Sequence, residues 1–277
     1  MPLKLMYITN RPEVAAIAEN SGVDWIFIDL EIRGKAERQG HLDTVISGHH
    51  LSDVSTIKSS LQKAQLLVRV NPVYEGSADE IDKVIDSGAD IVMLPFFTTA
   101  QEVQTFIGCI NGRARTCLLC ETPGAVSQID SILEVPGIDC IHIGLNDMHL
   151  GYGMKFMFEL LADGTVEMLG DKFKSKGIPY GFGGIASLGL GTLPAENIIA
   201  EHYRLGSEMA ILSRSFCNFE LCESLLQVEE IFNQGMAEIR SYESWLQKQD
   251  AAWFAQNQKN TVKIVKQIKQ KIAISYI

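Results

Sequence analysis

The stretch Asp24-Trp25-Ile26-Phe27-Ile28-Asp29-Leu30-Glu31 is an apolar run that ends in two carboxylates. A short continuous apolar run of this kind is typical of a strand that is buried on both faces, as in a parallel sheet. Seven similar runs occur along the chain with helical patterns between them, at residues 3–8, 66–71, 90–95, 116–121, 139–144, 178–183 and 208–212. Strands that alternate with helices predict an α/β fold, and eight of them predict a closed TIM-type (β/α)₈ barrel. An open doubly wound sheet is the alternative.

The composition limits the kinds of partner that the protein can have. The chain has 277 residues, a size that suits one barrel domain, and its formal net charge is −10. An acidic chain lacks the positive footprint that binding to nucleic acid requires. The first residues show no secretory signal pattern, and no stretch reaches the roughly 18 apolar residues of a membrane span. We therefore expect a cytoplasmic protein that binds neither nucleic acid nor a membrane.

Two helical patterns follow the eighth predicted strand. Apolar residues recur at helical spacing from Leu225 to Ile239 and again from Val262 to Ile272. We divide the chain into a catalytic barrel domain, residues 1–218, and a C-terminal helical extension, residues 219–277. A barrel needs at most one closing helix, so the extension is expected either to pack on a neighbouring subunit of a homo-oligomer or to lie on its own barrel.

Charged side chains stand at the ends of several predicted strands. Asp29 and Glu31 follow the second strand, Arg69 ends the third, Glu121 ends the fifth, and Asp147 follows the sixth. In a barrel these ends meet at the face that carries the active site. Carboxylate oxygens suit Mg²⁺ or Mn²⁺, so Glu121 and Asp147 are the predicted metal ligands. Arg69 has a fork that matches a carboxylate or an enolate oxygen, and Asp29 and Glu31 are the other catalytic candidates. An ion pair between Arg69 and Glu121 is the structural alternative.

Two further segments are candidates for substrate contacts. Thr122, Pro123 and Gly124 begin a predicted helix whose first backbone N–H groups suit a substrate carboxylate, so they are predicted to bind substrate together with Arg69, although any ordinary helix start has this pattern. Residues 181–186 have the GxGxxA spacing, but no clean helix follows, and no acid lies about 20 residues further on in a second strand. We expect a loop there that either binds an anion or leaves room for the substrate, and we reject a dinucleotide site.

Together these segments resemble the HpcH/HpaI aldolase and citrate lyase β-subunit family, over roughly residues 12–216. The matching stretches are 22–31, Val68-Arg69-Val70-Asn71, 88–95, Glu121-Thr122-Pro123-Gly124-Ala125-Val126 and, most specifically, 135–139 and 143–148. The resemblance implies a pyruvate- or phosphoenolpyruvate-type barrel. It implies that Glu121 and Asp147 bind Mg²⁺ or Mn²⁺ and that Arg69 holds the oxo acid and its developing enolate. It also implies a C-terminal helix that is exchanged between subunits.

The chain departs from the family at a position used for proton transfer. The aldolase branch has a histidine directly after the glutamate that matches Glu31, and the citrate lyase branch has an aspartate there, whereas this chain has Ile32. The base therefore stays open among a water molecule, Asp29, Glu31 and a histidine such as His41.

These features predict an enzyme, a divalent-metal-dependent carbon–carbon lyase or aldolase. Its expected substrate is a small 2-oxo acid of the pyruvate or oxaloacetate type, which reacts through its enolate with an aldehyde or an acyl-CoA as partner. One alternative is an acyl-CoA lyase or synthase of the citrate lyase β type. The other is a metal-binding barrel without turnover that serves as a binding or assembly subunit, which the replacement of the histidine by Ile32 keeps open.

Overall fold

A computed structural model describes residues 2–33 and 48–275 of the chain. Eight strands pair in sequence order into a closed barrel, which confirms the predicted fold. The observed strand bounds differ from the predicted ones by two residues at most. The strands are β1 (Lys4–Ile8), β2 (Trp25–Asp29), β3 (Gln65–Arg69), β4 (Ile91–Leu94), β5 (Arg115–Cys120), β6 (Cys140–Ile143), β7 (Tyr180–Ile185) and β8 (Met209–Leu212).

Helices connect the strands and follow the last of them. They are α1 (Pro12–Asn20), α2 (Leu51–Ser60), α3 (Ser77–Asp86), α4 (Ala100–Ile110), α5 (Pro123–Ser127), α6 (Ile129–Ile132), α7 (Leu145–Gly151), α8 (Glu159–Ala162), α9 (Thr165–Ser175), α10 (Ala195–Leu205), α11 (Leu225–Leu246) and α12 (Ala251–Ser275), with a short 3₁₀ helix at Phe219–Leu221. Within the described ranges, none of these helices combines the length and the apolar character that crossing a membrane requires.

The contacts divide the chain into two compact units. The C-terminal unit comprises Met1–Leu5 and His142–Ile277, and the N-terminal unit comprises Met6–Ile141. In the N-terminal unit, all five residues of β2 and all four of β4 are buried. Burial of a large apolar side chain contributes about 1.5–3 kcal/mol to the stability of the fold. Because a strand of a parallel sheet is buried on both faces, a continuous apolar run gains this contribution at every position and so favours a strand.

Two helices do not begin with the side-chain cap that residue type alone would suggest. Asparagine is a common N-cap residue and stands at position 10, but the N-cap of α1 is Arg11, which makes no side-chain hydrogen bond to the helix. The Asn10 amide instead donates to Asp53 Oδ2 at 3.0 Å. Ser77 is the first residue of α3 rather than its cap, and its hydroxyl accepts the N–H of Tyr74 at 2.8 Å. The Asn10 amide is thus bonded to a residue 43 positions away, and the Ser77 hydroxyl to the backbone three residues earlier.

The glycine-rich segment that was expected to form a loop lies inside strand β7, which runs to Ile185. A Cβ atom on Gly181 would come within 2.2 Å of Met209 on β8, and the register of the two strands shifts between Gly181 and Gly184. The glycines therefore allow close approach of β8 and a bulge in the ladder. The expectation of a loop at this position is corrected.

The two C-terminal helices pack on helices of their own unit. Helix α12 lies against α10 and α8, and α11 lies against α10. Buried polar groups reinforce this packing, because Glu243 of α11 accepts the N–H of Leu3 at 2.7 Å and Asn257 of α12 donates to Glu201 at 3.1 Å. The exchange of these helices with a neighbouring subunit stays a prediction.

Candidate active site

The carboxyl ends of β2 and β3 place Asp29 beside Arg69. The two residues are partners in the parallel ladder, so their side chains leave the same face of the sheet. Arg69 donates from Nε to Asp29 Oδ1 and from Nη2 to Oδ2, both at 2.8 Å. The side chain of Asp29 is 2% exposed and that of Arg69 is 13% exposed. A bidentate, charge-assisted pair is directional, so it fixes the orientation of the guanidinium.

Glu31 joins this pair directly after the strand. Its N–H donates to Asp29 Oδ1 at 3.2 Å, and its Oε2 lies 3.3 Å from Arg69 Nη1. Burial by itself lowers the pKa of Arg69, but the charges of Asp29, Glu31 and Glu121 outweigh burial, so the pKa is raised. Arg69 is therefore a permanent cation. The structure brings together the three residues that the sequence marked as catalytic candidates.

Asn71, just beyond β3, holds the chain that follows Glu31. Its Oδ1 accepts the N–H of Ile32 at 3.0 Å and the N–H of Arg33 at 2.9 Å, while its Nδ2 donates to Glu80 at 2.7 Å. Ile32, which stands where the family histidine is expected, is 64% exposed. The side chain at this position therefore supplies neither a proton-transfer group nor much apolar burial.

Glu121 directly follows β5 and is 3% exposed. Its Oε1 accepts the backbone N–H of Phe96 at 3.1 Å, and its charge contributes to the raised pKa of Arg69. Among the described residues, the ion pairs of Arg69 are formed with Asp29 and Glu31. Glu121 is thus an electrostatic neighbour of Arg69 and is oriented by a main-chain donor.

At the start of the helix after Glu121, the side chain of Thr122 is hydrogen-bonded within the protein. Thr122 Oγ1 accepts the N–H three residues further on at 2.9 Å and donates to the carbonyl of Phe97 at 2.8 Å. A Cβ on Gly124 would lie 3.0 Å from the Thr98 side chain, so glycine allows the two turns to pack closely. The substrate-binding role of Thr122, Pro123 and Gly124 stays a prediction.

Asp147 belongs to the C-terminal unit and lies in the first turn of α7, where its side chain is half-buried. The positive end of the helix dipole favours a carboxylate at this position. Within residues 2–33 and 48–275, no group of three or more histidine, cysteine, aspartate or glutamate side chains is arranged to hold a metal ion. The predicted ligand pair is smaller than that, and Mg²⁺ commonly takes only one or two carboxylates and completes its shell with water or substrate.

Two residues next to the carboxylates were not identified from the sequence as parts of the site. His49 Nδ1 accepts the backbone N–H of Asp29 at 3.0 Å, so the imidazole takes the place of a ladder partner at the end of β2. Phe96 has a φ of 52°, which is unusual for an aromatic residue, and no sequence pattern marks it. His41, a candidate base, lies outside the described residues.

The fold and this cluster define a (β/α)₈ barrel whose strand ends carry an arginine among buried carboxylates. The sequence pattern of the HpcH/HpaI aldolase/citrate lyase family matches residues 4–157, which is more than half of the chain. The chain belongs to this family, and the resemblance seen in its motifs is confirmed.

Individual relatives are more distant. The chain is 28% identical over 172 residues to 2-keto-3-deoxy-L-rhamnonate aldolase of Salmonella gallinarum, across 50% of this chain and 58% of that protein. It is 26% identical over 204 residues to hydroxypyruvate/pyruvate aldolase of Roseobacter denitrificans, across 59% of this chain and 72% of that protein. The first match thus spans little more than half of the relative's length.

Solved structures show the same fold. The HpcH/HpaI aldolase from Desulfitobacterium hafniense superposes with a TM-score of 0.60 at 16% identity, over 76% of this chain and 86% of that chain. An HpcH/HpaI aldolase/citrate lyase family protein from Burkholderia cenocepacia gives a TM-score of 0.59, over 86% of this chain and 95% of that chain.

Proposed function

We propose that this protein is a divalent-metal-dependent carbon–carbon lyase of the aldolase class that acts on a small 2-oxo acid through a pyruvate-type enolate. The observation that carries the proposal is the buried position of Arg69, whose guanidinium is oriented by Asp29 and has Glu31 and Glu121 in its electrostatic surroundings. Membership of an aldolase/citrate lyase family supports the same chemistry, as do relatives named as keto acid aldolases.

Arg69 is assigned to the oxygens of the substrate. Its hydrogen bonds to Asp29 use two of the five guanidinium N–H donors, and its Nη1 lies 3.3 Å from Glu31. The other donors can bind a carboxylate or an enolate oxygen. Negative charge builds on the 2-oxo oxygen as the enolate forms, so a guanidinium that is already oriented stabilises the transition state more than the ground state.

Glu121 is assigned as a ligand of Mg²⁺ or Mn²⁺, and Asp147 is the second ligand predicted from the sequence. The oxygens of a buried carboxylate that a hydrogen bond orients suit these hard cations. A divalent cation polarises the 2-oxo group as a Lewis acid.

Proton transfer is assigned to Glu31 rather than Asp29. Both oxygens of Asp29 accept N–H groups of Arg69 at 2.8 Å, so its task is to hold the guanidinium. Glu31 makes a longer ion pair, 3.3 Å, with the same side chain. In the cleavage direction the substrate is a 2-oxo acid with a hydroxyl group at C4, and the base removes the proton of that hydroxyl group. The C3–C4 bond then breaks and its electron pair remains in the enolate, which is protonated at C3. The second product is an aldehyde.

The names of the two relatives point to a small keto acid rather than to an acyl-CoA as the main substrate, so the citrate lyase β type remains the second candidate. We further propose that the protein works as a cytoplasmic homo-oligomer. Ile32 at the position of the family histidine favours the third candidate, a barrel that binds without turnover.

Proton exchange of pyruvate tests the enolate directly. The protein is incubated with Mg²⁺ and pyruvate in D₂O, and the methyl protons are followed by NMR. We expect metal-dependent exchange in the wild type and a rate lower by about 10²–10³-fold in Arg69→Lys, because lysine keeps the charge but lacks the fork. Decarboxylation of oxaloacetate, which passes through the same enolate, is measured in parallel.

Arg115→Lys is the matched control. Arg115 lies at the start of β5, at the opposite end of the strand from Glu121, and donates to Gln65 at 3.2 Å, so its replacement should leave both rates unchanged. A wild-type protein that binds Mn²⁺ and pyruvate but catalyses neither reaction would contradict the lyase proposal and favour the binding barrel.

A further inference from the structure

Phe96 adopts a backbone conformation that its side chain does not explain. In the part of the chain that the structure describes, two non-glycine residues have positive φ, Phe96 at 52° and Asn111 at 49°. Asn111 caps the C-terminus of α4, a position where asparagine commonly adopts the left-handed conformation. Phe96 ends no helix, and an aromatic residue rarely adopts this conformation. A strained residue of this kind persists only where its surroundings hold it in place.

The turn that contains Phe96 is hydrogen-bonded to the residues that follow β5. The Phe96 N–H donates to Glu121 Oε1 at 3.1 Å, and one residue further along each segment Thr122 Oγ1 donates to the carbonyl of Phe97 at 2.8 Å. Next to these bonds, Gly124 lies so close to Thr98 that a Cβ would have to displace it. Two hydrogen bonds, one donated from each segment, and a close contact therefore hold the turn after β4 against the segment that carries Glu121.

The turn is also fixed on its far side. Glu102 Oε2 accepts the N–H groups of Thr98 at 2.9 Å and Thr99 at 2.8 Å, and Thr99 caps α4 in return. Pro95 precedes Phe96 and restricts the chain at the end of β4. The left-handed conformation of Phe96 is therefore determined by both flanks, and its consequence is the direction of one N–H group.

We propose that Phe96 is a positioning residue whose left-handed backbone aims its N–H at Glu121 and so fixes the orientation of that carboxylate. The inference deepens the proposed function and rests on it, because Glu121 is assigned there as a metal ligand. Hydrogen bonds that orient a ligating carboxylate typically change metal affinity by about 10–100-fold when they are lost. The backbone of Phe96, not its ring, is the part that matters.

Substitutions at position 96 separate the backbone from the side chain. Glycine and asparagine tolerate positive φ, whereas β-branched valine is strongly disfavoured there. We expect Phe96→Gly and Phe96→Asn to keep the wild-type affinity for Mn²⁺ in titration calorimetry, and Phe96→Val to weaken it by about 10–100-fold. A side chain that acts by packing predicts the reverse order, with valine tolerated best, and that order would overturn the inference.

Asn111→Val supplies a matched control. It places valine at nearly the same φ, 49°, but at the C-terminal end of α4, where the N–H of residue 111 donates to the carbonyl of Ile107 rather than to Glu121. It should therefore lower the thermal unfolding temperature and leave the Mn²⁺ affinity unchanged. Thermal unfolding of each variant shows whether the protein is folded when the affinity is measured. An equal loss of Mn²⁺ affinity in Asn111→Val and Phe96→Val would also overturn the inference.

Hydrogen exchange gives a readout that needs no metal. The amide of residue 96 should exchange at least about tenfold faster in Glu121→Ala than in the wild type, because its buried acceptor is removed. Equal exchange in the two proteins would overturn the inference. A protected amide together with a wild type that binds no Mn²⁺ would refute the metal assignment of the proposed function while supporting the positioning of Glu121.

Discussion

The carboxylate of Asp29 accepts two N–H groups of Arg69, and the oxygen Oδ1 also accepts the N–H of Glu31. The two carboxylates at the end of β2 therefore have different tasks. Asp29 orients the guanidinium of Arg69, whereas Glu31 makes a longer contact of 3.3 Å with it. Breaking a buried ion pair from one side leaves a charge without compensation, which typically costs about 3–5 kcal/mol. Residues that look equivalent in the sequence thus differ in what their replacement should do.

The metal assignment is tested by removing one charge at a time. Glu121→Gln and Asp147→Asn should each weaken Mn²⁺ binding by more than the about 10–100-fold typical of an outer-shell partner, because an amide replaces an anionic ligand. Isothermal titration measures the affinity. Asp82→Asn, on the exposed face of α3 where Asp82 pairs with Arg113, is the control and should bind as the wild type does. Unchanged affinity in both site variants would rule the assignment out.

The strands were predictable from the sequence, whereas several connections between them were not. An apolar run such as β2 is buried along its whole length, so composition alone marks it, and a charged residue at its end reaches the barrel face by topology. Asn10, a residue type that often caps helices, does not cap α1, and its amide donates to Asp53, 43 residues away. The left-handed Phe96 follows from bonds to residues 25 positions away, which no local pattern contains.

A buried histidine pair links β6, β7 and α10 in the C-terminal unit. His142 Nε2 bonds the carbonyl of Gly183 at 3.1 Å, while His202 stacks on Phe182 and bonds Ser207 at 2.8 Å. The other ring nitrogen of each histidine has no partner among the described residues. Burial lowers the pKa of His142 to about 4, and burial together with His142 lowers that of His202 to about 3. Both imidazoles are therefore neutral in the folded protein at neutral pH.

This pair should make the protein less stable in mild acid. An unfolded histidine has a pKa of about 6.5, so below that pH the unfolded chain binds protons that the folded chain does not, and stability falls until the folded pKa is reached. Between pH 7 and pH 5, His202→Leu should lose about 2 kcal/mol less unfolding free energy than the wild type does. Urea unfolding at the two pH values measures this difference.

Ile199→Ala is the control for the pH prediction. Ile199 is fully buried in α10 and carries no ionisable group, so its replacement should lower the stability without changing its dependence on pH. If His202→Leu and the wild type lose the same free energy between pH 7 and pH 5, the buried neutral state of His202 is wrong.

At the scale of the molecule, the C-terminal extension has two kinds of surface. Its inner side is committed to its own unit, where Phe232, Ile239 and Leu246 of α11 are fully buried. Its outer side carries apolar residues around the beginning of α11. Leu221, in the 3₁₀ helix that precedes α11, is 79% exposed, and Leu226, in the first turn of α11, is 71% exposed. An extension that packs both on its own unit and on a neighbour needs both surfaces, so the two alternatives drawn from the sequence are compatible.

Assembly is therefore tested with two variants, one that removes the extension and one that changes only its exposed residues. Deleting the chain after Asn218 removes α11 and α12, exposes the apolar surface that they cover, and should change the oligomeric state. The double variant Leu221→Glu/Leu226→Glu leaves the buried side intact and places charges only on exposed positions, so it should lower the number of subunits without changing the thermal unfolding of the monomer. Light scattering gives the subunit number of each protein. If the truncated protein and the double variant both keep the parent's subunit number, the extension has no role in assembly, because neither its helices nor its exposed leucines would then contribute to an interface.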